Sequence, residues 1–168
     1  ALRKRLDSDR FLWGKSEERF FVEQGIPEGW SEGKFRRKVV ECAKGYLGCQ
    51  YRWGGKAADG IDCSGVVFMV YLMNGVLIWR DADIREGYPM KAIWREGEEM
   101  CLVEERAKAG DLLFWRGHVG MYLGDGRYLH CTGHERVFGC RVNSLRRGDE
   151  DFRKDLAEAL KVVGSVFS

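Results

Sequence analysis

The sequence lacks the features that mark membrane-spanning and nucleic-acid-binding proteins. No apolar run in its 168 residues approaches the roughly 20 needed to cross a bilayer, and no secretory signal peptide is recognisable. The net charge is only +2, with both signs interspersed, so no basic footprint for nucleic acid is present. We therefore expect neither a transmembrane segment nor a nucleic-acid partner. Because the chain starts with Ala, we expect a processed or trimmed product, whose compartment and oligomeric state the sequence leaves open.

Metal-binding patterns are also scarce. The chain has three histidines, His118, His130 and His134, and no C-x2-C pair. Cys63, Cys131 and these histidines are zinc-ligand types, and His130 and His134 have an H-x3-H spacing, so a zinc site is one alternative. His130 and Cys131, however, should face opposite sides of a strand. We expect no metal and no cofactor.

The six cysteines do not form an evident disulfide framework. Cys42 and Cys49 lie seven positions apart in a predicted helix, which separates them by roughly 10 Å along its axis and prevents a bridge. We expect a mostly reduced chain.

The composition, with 45% hydrophobic residues, suits one globular domain. Residues 1–30 differ from the rest, because short apolar clusters alternate with charges before Gly25, Pro27 and Gly29 interrupt the chain. We expect residues 1–30 to be an N-terminal arm or the remnant of a preceding module, and residues 31–168 to form the main domain.

Residues 31–168 predict helices first and an antiparallel sheet afterwards, which favours an α+β fold. A first helix should begin after the N-cap Ser31 and end at Gly48, and a second, buried helix should start at Cys63 and end at Asn74. The stretch 79–99 is predicted to be irregular. The remaining predicted elements are strands at 112–115, 119–123, 127–131, 137–142 and 161–167, and a helix at 151–160.

Cys63 is placed as a nucleophile would be. It follows a glycine-rich loop, 51–62, and opens an apolar helix. The free N–H groups and the dipole of a helix start favour a thiolate over a thiol. A lone cysteine of this kind is more often a small buried hydrophobe, so the functional interpretation depends on a partner base.

Two histidines on a predicted hairpin supply that base. If the loop is the three residues 124–126, His118 lies opposite Thr132 and His130 is diagonal to it on the same face, about 7–8 Å away between backbones. A two-residue loop would place the two histidines on opposite faces.

These residues together predict a thiol hydrolase. Cys63 is the nucleophile, His118 the general base and later acid, and His130 the group that orients His118. The backbone N–H of Cys63 or Ser64 is the expected oxyanion donor, with the Tyr51 hydroxyl as a further candidate.

The motifs of residues 31–168 resemble, in order, those of the NlpC-like family of bacterial cell-wall cysteine peptidases, which have a papain-like fold. The matching segments are Tyr51-x-Trp53-Gly54-Gly55, Gly60-Ile61-Asp62-Cys63-Ser64-Gly65, Arg80-Asp81-Ala82, Gly110-Asp111-Leu112-Leu113-Phe114, His118-Val119-Gly120-Met121-Tyr122-Leu123-Gly124 and Tyr128-Leu129-His130. Arg141 to Leu145 also resembles the segment after the second histidine in the branch that cleaves γ-D-glutamyl bonds.

The resemblance implies an endopeptidase that cuts between D-isoglutamate and the diamino acid of a peptidoglycan stem peptide or muropeptide. It also implies a bacterial enzyme of the cell wall, periplasm or cytoplasm. Cys63, His118 and His130 would carry catalysis, and Tyr51 would line the oxyanion site. Tyr51, Asp62 and Ser64 match positions that hold the substrate amine in the branch specific for a free N-terminal L-Ala.

Some positions depart from the family pattern. Trp79 replaces the usual proline before Arg80, and Arg85 stands where glutamine is common. Because a fold does not fix a substrate, two alternatives stay open: an amidase or acyltransferase on the same scaffold, and a catalytically silent wall-binding protein. The silent protein would be expected to have lost Cys63 or His118, and both are present.

Overall fold

The computed structural model describes residues 3–5, 10–13, 20–23, 29–57, 59–134 and 137–167. The helices are α1 (Glu32–Lys44), α2 (Cys63–Met73), α3 (Cys101–Arg106) and α4 (Lys154–Glu158). The strands are β1 (Arg3–Arg5), β2 (Arg10–Trp13), β3 (Phe20–Glu23), β4 (Lys56–Ala57), β5 (Gly60–Ile61), β6 (Lys91–Arg95), β7 (Leu112–Trp115), β8 (His118–Gly124), β9 (Arg127–Thr132), β10 (Gly139–Ser144) and β11 (Val162–Ser165). Among the described helices, none combines the length and apolarity that a membrane crossing requires.

A six-stranded antiparallel sheet in the order β10-β9-β8-β7-β11-β6 forms the centre of the fold. Alternate side chains of its strands enter two apolar clusters. Val119 and Leu129 pack with α1 and α2 on one face, while Tyr122 and Tyr128 pack with α3 and the segment around α4 on the other. The predicted α+β class is therefore confirmed, with a sheet covered by helices on both faces.

Helix α1 begins as predicted and ends earlier than predicted. The Ser31 hydroxyl accepts a hydrogen bond from the Lys34 N–H at 3.2 Å. The helix stops at Lys44 instead of continuing to Gly48, because the next residues turn to meet β10. The Gly48 N–H bonds the Cys140 carbonyl at 3.0 Å, and Gly48 has a φ of +83° that no helix allows.

Helix α2 is buried on most sides and is capped by the residue before Cys63. The Asp62 carboxylate accepts from the Gly65 N–H at 2.5 Å. Gly65 itself packs tightly, since a Cβ there would lie 2.4 Å from the Gly55 carbonyl oxygen. The loop from Tyr51 to Asp62 is thereby held against the first turn of α2.

The β8–β9 hairpin has the predicted register but a different turn. Gly120 pairs with His130, which is the alignment that the three-residue loop implied. The turn itself has two residues, Asp125 and Gly126, both with positive φ, and Gly124 pairs with Arg127. A bulge at Leu123 adds the residue that restores the register.

Several predicted boundaries were wrong. The stretch 79–99 contains strand β6, which pairs with β11 at the sheet edge. Residues 101–106, for which no element was predicted, form α3. Strand β10 begins at Gly139, two residues late, and α4 covers only the middle of the predicted 151–160 helix because the flanking residues bond to β10 and β7.

The N-terminal apolar clusters fall on strands. β1, β2 and β3 form a separate three-stranded antiparallel sheet, with Leu12 paired to both Lys4 and Phe21. The predicted breaks at Gly25 and Pro27 lie outside the described residues.

Candidate active site

Cys63 is the first residue of α2 and is almost fully buried beside the start of β8. The backbone N–H groups of Val119 and Ser64 hydrogen-bond its sulfur and favour the thiolate. Burial has the larger effect, because a thiolate loses its hydration there, and it raises the pKa of the Cys63 thiol. The helix-start argument predicted the opposite direction. In the free protein the cysteine is a thiol that needs a base.

The two hairpin histidines are in direct contact. His118 Nε2 lies 2.7 Å from His130 Nδ1, and the rings meet edge to face. Gly120 allows this approach, since a Cβ at that position would lie 2.9 Å from the Leu129 carbonyl oxygen and 3.2 Å from His130 Cβ. The same-face placement predicted for the pair is therefore observed.

Both histidines are neutral at neutral pH. Burial lowers the pKa of His118 to about 3, with smaller contributions from the charges of His130 and Arg153. Burial also lowers the pKa of His130 to about 4, although its hydrogen bond to Asn143 acts in the opposite direction. The rings of Trp115 and Tyr128 flank the pair and help to exclude water. His118 is therefore unprotonated over most of the pH range.

Asn143 is a member of this site that the sequence did not indicate. Its Oδ1 lies 3.0 Å from His130 Nε2, and its Nδ2 donates to the Asp151 carbonyl oxygen at 2.8 Å. On β10, Arg141 pairs with His130, so Asn143 is diagonal to the histidine on the neighbouring strand. Only the strand register brings them together, and the sequence contained no sufficient signal for it.

Asp62 and Ser64 form a cluster with Arg80, a residue that the sequence placed in a motif but not in the site. Arg80 Nη2 lies 3.1 Å from both carboxylate oxygens of Asp62, and Arg80 Nη1 donates to the Ser64 hydroxyl at 2.6 Å. The Gly54 N–H also donates to Asp62 at 2.8 Å. The Asp62 carboxylate thus caps α2 and neutralises Arg80 at the same time.

Tyr51 lies at the same cleft and is held by a close glycine contact. A Cβ at Gly133 would lie 2.6 Å from the Tyr51 ring, so only glycine leaves the ring in its position. Burial raises the pKa of Tyr51, and the nearby Cys63 and Asp62 add to the effect. The phenol therefore stays protonated and can donate a hydrogen bond.

An open cleft of about 590 Å³ contains these groups. Its lining contains four of the predicted site residues, Tyr51, Asp62, Cys63 and Ser64, but neither His118 nor His130, and it adds Trp53, Gly54, Lys56, Arg80, Asp81, Ala82, Asp83 and Gly117. Three carboxylates, from Asp62, Asp81 and Asp83, and two cations, Lys56 and Arg80, line this cleft.

The remaining zinc-ligand types do not join the site. His134 is exposed, and Cys131 is buried on the other face of β9, where its thiol donates to the Ile61 carbonyl at 3.2 Å. No group of three or more side chains able to hold a metal ion occurs within the part of the chain that the structure describes. All six cysteines are free thiols.

This combination of fold and site is that of the papain-like cysteine peptidases, an α+β class with the nucleophile at a helix start and the base on the sheet. Within that class the chain belongs to the NlpC/P60 family, whose profile matches residues 48–149.

Curated relatives and solved structures agree with this family. The chain is 45% identical over 139 residues to "Dipeptidyl-peptidase 6" of Lysinibacillus sphaericus, an alignment that covers 82% of this chain and 47% of the relative. It is 38% identical over 120 residues to "Gamma-D-glutamyl-L-lysine dipeptidyl-peptidase" of Bacillus subtilis, covering 66% and 37%. An NlpC/P60 family protein from Bacillus cereus shares the fold, with a TM-score of 0.60 and 22% identity over 96% of this chain and 52% of that one. The chain spans about half or less of the length of these relatives.

Proposed function

We propose that the protein is a cysteine endopeptidase that hydrolyses the γ-D-glutamyl–diamino acid bond of peptidoglycan stem peptides. The observation that carries the proposal is that the buried Cys63 thiol accepts the backbone N–H of Val119, the residue after His118, whose ring contacts His130. The choice of bond is supported by the relative named as a γ-D-glutamyl-L-lysine dipeptidyl-peptidase. The acidic cleft also fits a substrate that carries an ammonium group.

Acylation begins with a proton transfer from Cys63 to His118. The thiolate attacks the γ-carbonyl carbon of the D-glutamyl residue, and a tetrahedral oxyanion forms. The N–H of Cys63 or Ser64 and the Tyr51 hydroxyl are the donors proposed for that oxyanion. The C–N bond then breaks, His118 returns the proton to the departing amine, and a thioester remains on Cys63.

In deacylation, water is the nucleophile and the Cys63 sulfur is the leaving group. A water molecule attacks the thioester carbonyl while His118 removes one of its protons. The C–S bond breaks, the sulfur leaves as a thiolate, and the imidazolium reprotonates it. His130 keeps the His118 ring oriented throughout, which is the positioning role that a carboxylate or amide has in other triads.

Asp62, Ser64 and Tyr51 are proposed to hold the free N-terminal amine of the substrate. A carboxylate and a hydroxyl are suitable partners for an ammonium. Asp62 already contacts Arg80, so the ammonium would share this carboxylate with the guanidinium. One relative is named as a dipeptidyl-peptidase, and this name supports the proposal that the enzyme recognises the free amino end of its substrate.

The two alternatives fit the cleft less well. Lipid acyl transfer would favour a hydrophobic slot, whereas this cleft is lined by Asp62, Asp81 and Asp83 together with two cations. A silent binding protein would not be expected to keep both Cys63 at the start of α2 and the His118–His130 contact.

The nucleophile is tested with matched cysteine variants. With L-Ala-γ-D-Glu-diaminopimelate as substrate, Cys63→Ala should lower kcat by about 1,000-fold or more, because no other group can form the thioester. Cys101→Ala is the control, since Cys101 is an exposed free thiol outside the cleft, and it should keep full activity. Retained turnover in Cys63→Ala would contradict the mechanism.

The amine site is tested with the same peptide and its N-acetylated form. Wild-type protein should cleave the free peptide in preference to the acetylated one, and Asp62→Asn should reduce this preference about tenfold by removing the charge while keeping a helix-capping oxygen. Asp81→Asn, an exposed acid of the same cleft, is the matched control. Equal cleavage of both peptides by wild-type protein would remove the amine-binding role from Asp62.

A further inference from the structure

We propose that Asn143, held by the backbone carbonyl of Asp151, is a positioning residue that sets the tautomers of both His130 and His118. The inference rests on the proposed function, because it leaves His118 with a free lone pair, which the proposed mechanism uses to accept the Cys63 proton. It adds a fourth side chain to the Cys63–His118–His130 arrangement.

The orientation of the Asn143 amide follows from its partner on the far side. A backbone carbonyl oxygen can only accept a hydrogen bond, so the group that contacts the Asp151 oxygen at 2.8 Å must be the Asn143 NH2. The amide oxygen of Asn143 therefore faces His130. Because Asn143 is buried, the reverse orientation would set two oxygens against each other without water to separate them.

The Asp151 carbonyl is itself fixed. It also accepts the Ser144 N–H at 3.1 Å, which ties it to the end of strand β10. The Arg127 guanidinium lies 3.2 Å from the Asp151 carboxylate and holds the same residue from β9. The carbonyl is thus a rigid reference point at the outer end of the site.

From this reference point, each hydrogen atom in the chain of contacts has a determined position. The Asn143 oxygen can only accept, so His130 Nε2 carries the hydrogen across the 3.0 Å contact. A neutral imidazole has one N–H, so His130 Nδ1 is an acceptor. The 2.7 Å contact then requires the hydrogen on His118 Nε2, which leaves His118 Nδ1 with a free lone pair.

The argument requires neutral rings, and their surroundings favour neutrality. His130 is buried and His118 is partly buried, and the cations Arg153 and Arg141 act against a positive charge on His130, while Asp155 acts in its favour. An amide in the outer position directs the tautomers without adding a negative charge. A carboxylate there would instead stabilise imidazolium, so Asn143 keeps His118 in the form that accepts a proton.

The first test compares three variants by steady-state kinetics. Asn143→Leu, similar in size but unable to hydrogen-bond, should lower kcat about 10- to 100-fold with little change in KM, the scale for losing the outer partner of a metal-bound histidine. Asn143→Asp keeps an acceptor for His130, so it should retain more activity than Asn143→Leu and lose it at a higher pH on the acid side. Asn74→Leu is the control, because the Asn74 side chain donates to the Val70 carbonyl, away from the site.

The second test reads the tautomers directly, with no substrate. In protein labelled at the histidine nitrogens, NMR at neutral pH should show Nε2–H on both His118 and His130, and Asn143→Leu should convert His118 to a mixture. The exposed His134 is an internal reference. An Nδ1–H form of either ring in wild-type protein, or unchanged tautomers and kcat in Asn143→Leu, would overturn the proposal. If wild-type protein shows the expected tautomers but cleaves no peptide, the proposed function fails, while the role of Asn143 in setting the tautomers stands.

Discussion

At the scale of single residues, the buried histidine pair links folding stability to pH. The pKa of His118 falls from 6.5 to about 3 and that of His130 to about 4, so below pH 6.5 the unfolded chain binds protons that the folded chain does not. Stability should therefore be fully present above about pH 6.5 and fall as the pH drops toward 3, by up to about 1.4 kcal/mol per pH unit for each histidine.

This dependence is measured by thermal or denaturant unfolding between neutral and acidic pH. His118→Gln should reduce the loss of stability at acidic pH, because one base with a lowered pKa is removed. His134→Gln should not reduce it, because His134 is exposed. A His118→Gln variant as acid-sensitive as wild-type protein would show that the pair is not held neutral in the fold.

Each site residue that could be predicted from the sequence lies in a recognisable local sequence pattern. Cys63 follows a glycine-rich loop and opens an apolar helix, and His118 and His130 flank a hairpin turn. Asn143 and Arg80 also lie in segments that match the family, but no local pattern assigns either side chain to the site. They reach the site through the pairing of β9 with β10 and through the loop after α2, and both depend on tertiary structure.

At the scale of elements, the β8–β9 hairpin shows how one bulged residue, Leu123, determines which strand residues pair and therefore which face each histidine occupies. The Asp125-Gly126 turn alone would be expected to place the two histidines on opposite faces. The bulge at Leu123 compensates, and Gly120 meets His130 as a result.

Deleting Leu123 should therefore leave the histidine contact in place. Tyr122 already pairs with Tyr128, and Gly124 with Arg127, so removal of the bulged residue yields a regular two-residue hairpin with the same inner register. We expect kcat within about threefold of wild type and a loss of roughly 1–2 kcal/mol in stability, since Leu123 is partly buried against the core. The matched variant carries one extra Gly after Leu123, so it lengthens strand β8 by one residue where the deletion shortens it by one. Loss of activity in the deletion variant, with the fold retained, would mean that the bulge has a catalytic role.

Other elements were predictable to different degrees. Helices α1 and α2 and strands β7 to β9 follow from periodicity and turn residues. Strand β6 was missed because it is an edge strand with only Trp94 fully buried, so its sequence lacks a clear alternation. The end of α1 was misplaced because Gly48 bonds to β10, a partner about 90 positions away, which no local signal indicates.

At the scale of the whole molecule, the candidate catalytic groups pack with both apolar clusters, since Cys63 belongs to the cluster with α1 and α2 while His118 and His130 contact Trp115 and Tyr128 of the other. Helix α2 delivers Cys63 to one face of the sheet, while α3 and α4 cover the other. We propose that residues 1–30, of which three strands form their own small sheet, are an arm or the remnant of a preceding module. The chain spans about half the length of the relative named Dipeptidyl-peptidase 6.

The central claim is that Cys63 hydrolyses the γ-D-glutamyl–diamino acid bond. The most direct measurement is tandem mass spectrometry of the products formed from L-Ala-γ-D-Glu-diaminopimelate in heavy-oxygen water. The account predicts L-Ala-D-Glu with one heavy oxygen in the glutamate γ-carboxyl group, together with unlabelled diaminopimelate, from wild-type protein and not from Cys63→Ala. Label at any other carboxyl group, or the same products from Cys63→Ala, would contradict it.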